Sequence, residues 1–163
     1  MENAIRQAIP LKLLLLDVDG VLTDGRITYS SAGEELKTFH IHDGLGIKLL
    51  QQAGIKVGII TGRSSPMVTR RANELGINYL LQGRKDKWVA LQSIQQELGL
   101  SLDEIAYMGD DLPDLSAIHH AGFGVAPANA VSIVKQHADW ITTLKGGEGA
   151  VRKRVREKRE LRI

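Results

Sequence analysis

The sequence predicts an α/β fold: a doubly wound, Rossmann-like parallel sheet interrupted early by a β-hairpin. Three observations carry that expectation. Short apolar runs alternate with longer segments whose apolar residues recur at helical spacing. The apolar runs are hydrocarbon almost throughout, as parallel strands covered on both faces must be. Several helical segments close on glycine, at Gly54, Gly76, Gly99 and Gly122, the usual helix stop. No internal repeat, low-complexity tract or linker divides the 163 residues, so a single domain over 1–163 is expected.

The elements follow in order. "LKLLLL" (11–16) is the first strand. "GRITYSSAGEELKTFHIHD" (25–43) places β-branched and aromatic residues on either side of "SSAGEE" and reads as a hairpin over about 25–40, with His40 and His42 in its strand. "GLGIKLLQQAG" (44–54) is the first helix, with "HDGLG" just ahead of it, and "KVGII" (56–60) the next strand. In "SPMVTRRANELG" (65–76), Ser64 or Ser65 supplies an N-cap and Pro66 a good first-turn residue. Then come "INYLL" (77–81) as strand, "KDKWVALQSIQQELG" (85–99) as helix and "EIAYMG" (104–109) as strand. "LPDLSAIHHAG" (112–122) is a helix closed by His119 and His120, and "GFGVA" (122–126) the last strand.

Composition excludes several classes. Apolar content of 43% and charged content of 25% are ordinary for a soluble protein, and a net charge of +2 gives no global attraction for nucleic acid. Aromatics at 4% argue against a base-stacking surface. The absence of cysteine removes disulfides and thiolate metal sites and fits a reducing compartment. "MENAIRQAIP" lacks the apolar core of a signal peptide, and no apolar run approaches the ~20 residues of a membrane span. A cytoplasmic protein with neither membrane nor nucleic-acid partner is the expectation.

"LLLLDVDGVLTD" (13–24) runs from hydrocarbon into acid. Burying carboxylates is costly unless something pairs with them. In open α/β sheets ligands bind at the carboxyl ends of the strands, and other chemically distinct residues fall at those ends. Thr61, Gly62 and Arg63 follow "KVGII"; Asp110, Asp111 and Asp114 follow "EIAYMG"; Lys87 opens a helix. Each alone is an ordinary turn or helix-start residue. Together they describe an oxygen site for a hard divalent cation such as Mg²⁺, with a lysine to neutralise the acids. For Asp17 and Asp19 to share it, the chain must leave β geometry at Val18, which Gly20 assists. No histidine has zinc-ligand spacing, so a histidine metal site is not expected.

"DVDGVLTD", "TGR", the lysine of "GRKDKW" and "GDDLPD" resemble the four motifs of the haloacid dehalogenase-like phosphohydrolases. The insertion after the first strand leaves no room for a cap domain. "HDGLG" and "GGEGAVR" further resemble the capless, tetrameric 3-deoxy-D-manno-octulosonate 8-phosphate phosphatases of lipopolysaccharide precursor synthesis. The resemblance implies Asp17 as nucleophile and Asp19 as general acid and base. It implies Mg²⁺ held by Asp17, the Asp19 carbonyl and Asp110, with Asp111 or Asp114 acting behind them. Thr61 and Gly62 would bind phosphate oxygens, and Lys87 would hold both phosphate and Asp17. Arg63 suits the substrate carboxylate or sugar.

A homotetramer is implied too. The hairpin and the tail over about 145–163 would wall the open sites of neighbouring subunits, with Arg152 meeting the substrate anion and the glycines of "KGGEGAVR" letting the tail bend. Lys153 stands where the family commonly has an acidic residue. The basic "RVREKRELRI" that follows reads as a solvated helix with local Glu–Arg pairing. Competing readings are a phosphatase for a nine-carbon sugar acid 9-phosphate, against which "TGR" leans, and a non-catalytic phosphatase-like assembly module, against which the intact acids and Lys87 stand. A response-regulator receiver would carry its phosphoacceptor after a middle strand, not the first.

Overall fold

The computed structural model describes residues 11–33 and 35–152. Lys153 and the basic stretch after it lie outside the described residues. Six parallel strands form one sheet: β1 (Leu13–Leu16), β4 (Lys56–Ile60), β5 (Tyr79–Leu81), β6 (Ile105–Met108), β7 (Phe123–Ala126) and β8 (Trp140–Ile141). A separate antiparallel pair, β2 (Thr28–Tyr29) and β3 (Glu35–Leu36), is the hairpin. The helices are α1 (Ile41–Gln52), α2 (Pro66–Leu75), α3 (Lys87–Leu98), α4 (Leu115–His120) and α5 (Ser132–His137). A further helix begins at 150.

The four leucines of β1 show why the strand is apolar on both faces. Leu14 and Leu16 join Ile47 and Leu50 of α1 and Val68 and Ala72 of α2 in one core. Leu13 and Leu15 point the other way, into a core with Leu91 and Ile94 of α3, Ile118 of α4 and Val134 of α5. Alternate side chains of one strand thus anchor two helical layers. Burying a leucine contributes ~2 kcal/mol, so polar residues at these positions would cost the sheet its centre.

Sheet order is β5-β4-β1-β6-β7-β8. The order reverses at β1: the chain first runs outward through β4 and β5, then returns to the other side for β6, β7 and β8. Such a reversal opens a crevice at the carboxyl end of the central strand. Leu16 is level with Ile59 of β4 and Met108 of β6, so the residues just after these three strands meet.

Several local expectations need correction. α1 begins at Ile41, so "HDGLG" lies inside the helix and not ahead of it. His40 and His42 are therefore not in a hairpin strand: His40 is the N-cap, its ring nitrogen accepting from the His42 amide. Imidazole here does the work usually given to Ser or Asp. Ser65 occupies the N-cap of α2, but its hydroxyl makes no cap bond; its amide instead donates to Gln82 Oε1 at 2.7 Å. α2 and α3 do end on left-handed Gly76 and Gly99. β8 and α5, too short and too mixed in character, escaped the periodicity argument altogether.

Candidate active site

Asp17 leaves β1 with its amide bonded to the Met108 carbonyl at 3.0 Å, and the next residues turn sharply, with the amides of Val21, Leu22 and Thr23 all directed at the Val18 carbonyl. Gly20 makes the turn possible twice over. Its φ is +89°, and a Cβ there would lie 2.0 Å from Asp110 Oδ2, so a side chain would drive the two acidic loops apart. Chain geometry thus breaks from β at Val18, as the sharing of a site by Asp17 and Asp19 requires.

A cleft of about 500 Å³ opens at this point. Asp17, Asp19, Thr61, Gly62, Arg63 and Lys87 line it, together with Asp110, Asp111 and Asp114. Arg152 does not; its amide donates to the buried Asp43 of α1 at 3.0 Å. Burial pushes the Asp43 carboxyl up, against the backbone bonds it accepts.

Lys87 Nζ donates to Asp114 Oδ1 at 2.7 Å and lies 2.9 Å from Asp17 Oδ2. All three residues are buried. Asp114 is fully engaged: Tyr107 Oη donates to Oδ1 at 2.7 Å, and the amides of Asp110 and Asp111 donate to Oδ2 at 3.0 and 3.2 Å. It fastens the β6 loop and orients Lys87. Asp111 caps the turn over 112–114 by accepting from the Leu112 amide at 2.8 Å.

The charges do not balance. Burial first, then the Asp114 charge, pushes the Asp17 carboxyl up to about 7 against the pull of Lys87. Asp110 also rises to about 7, through burial and then the charges of Asp114 and Asp111. Burial works to lower the Lys87 ammonium, but Asp17 and Asp114 outweigh it and raise it. Burial and the Asp114 charge carry the Tyr107 phenol well above its ordinary value. Among the described residues, Asp17, Asp110 and Asp114 form the one acidic triad with oxygens within 4.8 Å of one another. With Asp114 saturated by four donors, Asp17 and Asp110 are the members with oxygens left to offer. Two hard oxygen donors in a surplus of negative charge fit a divalent cation.

Asp19 lines the cleft and is also held from the hairpin. Its Oδ1 lies 2.5 Å from Nζ of Lys37, a hairpin lysine whose side chain is only 1% exposed. Lys37 is also 3.2 Å from Glu35, and Glu35 Oε2 accepts from Arg63 Nη2 at 2.5 Å. The sequence reading missed this chain of alternating charge. Part of its signal was legible, since residues 35 and 37 fall on one face of an extended segment, though not where that face docks. Tyr107 was also legible, as the single polar handle in "IAYM". Arg84 and Lys85, which line the cleft, and Asn129 gave no such signal. Asn129 donates to the Gly20 carbonyl at 3.0 Å and accepts from the Gly146 amide at 2.6 Å.

That last contact corrects another expectation. Gly146 and Gly147 are not there to let a tail bend. A Cβ on Gly146 would lie 1.8 Å from the Gly20 carbonyl oxygen, and one on Gly147 would lie 2.6 Å from the Asp24 amide. They allow backbone to lie directly on the acidic turn.

Comparison with known proteins finds relatives over nearly the whole chain. A family model described as haloacid dehalogenase-like hydrolase matches residues 80–153. The 3-deoxy-D-manno-octulosonate 8-phosphate phosphatase of Yersinia pestis is 43% identical over 151 residues, covering 93% of this chain and 81% of that protein. That of Escherichia coli K12 is 42% identical, covering 92% and 80%. Among solved structures, the Moraxella catarrhalis phosphatase of that name, in complex with magnesium, phosphate and KDO, superposes with a TM-score of 0.96 at 48% identity, covering 98% of this chain and 92% of that one. The cobalt-bound Haemophilus influenzae phosphatase gives 0.91 at 38%, covering 94% and 90%.

Proposed function

Because the chain belongs to the 3-deoxy-D-manno-octulosonate 8-phosphate phosphatase family of haloacid dehalogenase-like hydrolases, we propose that it hydrolyses that sugar acid phosphate to the free sugar acid and phosphate, in lipopolysaccharide precursor synthesis. One observation carries the reading: a surplus of carboxylate converges with Thr61, Gly62 and Lys87 on one cleft at the reversal point of the sheet.

In this reading Asp17 attacks phosphorus, forming an aspartyl-phosphate as the sugar oxygen departs. Asp19 gives that oxygen a proton, then takes one from the water that cleaves the acyl-phosphate. The Thr61 hydroxyl and Gly62 amide hold phosphate oxygens, while Lys87 fixes Asp17 and offsets negative charge. Mg²⁺, held by Asp17, Asp110 and the Asp19 carbonyl, supplies when bound the positive charge that lets an anionic carboxylate meet an anionic phosphate. Asp111 and Asp114 support that shell from behind. Arg63 receives the substrate carboxylate.

The active form in this reading is a homotetramer. Ile27, Leu36, Ile41 and Leu45 are exposed on the hairpin and α1, an apolar surface suited to burial between subunits. Arg152, outside its own cleft, is then available to a neighbour's. Among the described residues no helix is long and apolar enough to cross a membrane.

The test is a panel of sugar phosphates assayed with Mg²⁺ and with chelator. The eight-carbon sugar acid phosphate should be turned over best, and only with the metal. Faster turnover of a nine-carbon sugar acid 9-phosphate would overturn the substrate assignment. Light scattering that returned a monomer at micromolar concentration would overturn the shared site.

A further inference from the structure

Arg63 is already occupied. Its Nη2 donates to Glu35 Oε2 at 2.5 Å and to Tyr29 Oη at 3.3 Å, so both hydrogens of that nitrogen are spoken for by the hairpin of the same chain. A guanidinium offers a carboxylate two paired edges, Nε with Nη2 and Nη1 with Nη2. Both include Nη2. No incoming carboxylate can take Arg63 by two parallel bonds while Glu35 and Tyr29 stay where they are.

We propose that Glu35 is a resident competitor for Arg63, a built-in carboxylate that a substrate carboxylate must displace, and that it thereby sets how tightly the site holds sugar acids. The inference rests on the proposed role of Arg63 toward the substrate. Two features make displacement feasible. Glu35 Oε1 is already ion-paired with Lys37 Nζ at 3.2 Å. On leaving Arg63, Glu35 keeps Lys37 as its partner, so its charge is not left unpaired in a buried setting. The Arg63 side chain is 41% exposed, so the bond to be broken is a half-solvated one.

A phosphate monoester without a carboxylate has no use for the fork and gains nothing from opening it. A resident competitor therefore weakens sugar acid binding by the fraction of time Arg63 is covered, and removing it should strengthen that binding alone. Tight binding of sugar acids is given up, while esters without a carboxylate are unaffected.

The experiment compares KM for 3-deoxy-D-manno-octulosonate 8-phosphate with KM for p-nitrophenyl phosphate in the full chain with Mg²⁺, for wild type, Glu35→Gln, Glu35→Ala and Arg63→Gln. Both Glu35 variants should lower the sugar acid KM relative to the p-nitrophenyl phosphate KM by about fivefold. Arg63→Gln should raise the same ratio. If Glu35→Gln raises the ratio instead, Glu35 orients Arg63 and does not compete for it, and the inference fails while the Arg63 reading stands. A parallel change for both substrates, or none, also overturns it. If Arg63→Gln leaves the ratio unmoved, or wild type does not hydrolyse the sugar acid phosphate, the Arg63 reading itself is wrong and the inference falls with it.

Discussion

The Lys87 ammonium lies 2.9 Å from an Asp17 carboxylate oxygen, and both side chains are buried. The same ammonium donates to Asp114. Replacing Lys87 by Met leaves two buried carboxyls without their cation. We expect a loss of about 3 kcal/mol, the lower end of what breaking a buried pair costs. The loss should be larger at pH 8 than at pH 6, because at the lower pH the stranded acids can protonate. Guanidinium chloride unfolding at both values measures this, and equal losses would show that the pair contributes packing alone.

Metal and proton compete for the same oxygens. In the metal-free folded chain Asp17 and Asp110 hold protons up to about pH 7, whereas the unfolded chain releases them near 4. Between those values the native state binds more protons than the unfolded one, so these two groups make the metal-free protein less stable as pH rises. Mg²⁺ should restore what is lost. The melting temperature gained with saturating Mg²⁺ is expected to be larger at pH 8 than at pH 5. Calorimetry showing a gain independent of pH would separate the metal from these carboxyls.

Asp17→Asn keeps the shape and removes the nucleophile. We expect turnover to fall by roughly 10⁴-fold or more. The metal-free fold should be no less stable at pH 8, since an unfavourably buried charge has gone. Steady-state kinetics and circular dichroism melting check the two halves. Retained turnover would remove Asp17 from the chemistry.

Tyr107→Phe deletes one of the four donors on Asp114. The lost bond should cost about 1–2 kcal/mol in stability. Because Asp114 in turn holds Lys87 and the β6 loop, kcat should fall several-fold while KM for phosphate esters changes less. A variant with unchanged kcat would make Tyr107 a core residue only.

The sheet was legible because β1, β4, β6 and β7 are apolar enough to betray burial on both faces, and because helices between them carry a clear period. The acidic turn was legible because charge directly after "LLLL" has no structural reason to be there. Lys37 and Glu35 were harder. Nothing local distinguishes a hairpin lysine in solvent from one folded onto Asp19, and the difference is made by where the hairpin docks. His40 misled because imidazole is an uncommon helix cap. The glycines near 146 were read as hinges when the need they meet is proximity, which only the partner backbone 100-odd residues away reveals.

Asn129 meets Gly20 across 109 residues of sequence, and Asp43 meets Arg152 across the same interval. A growing polypeptide therefore makes its first carboxylate loop long before the segments that clamp it exist. On the ribosome the early loop must wait, without its brace, until the codons around 129 and 146 have been read. Truncation upstream of Gly146 should leave most of the sheet's sequence intact yet no properly shaped acidic turn, so a nascent chain should not begin hydrolysing phosphate esters before Gly146 has been added.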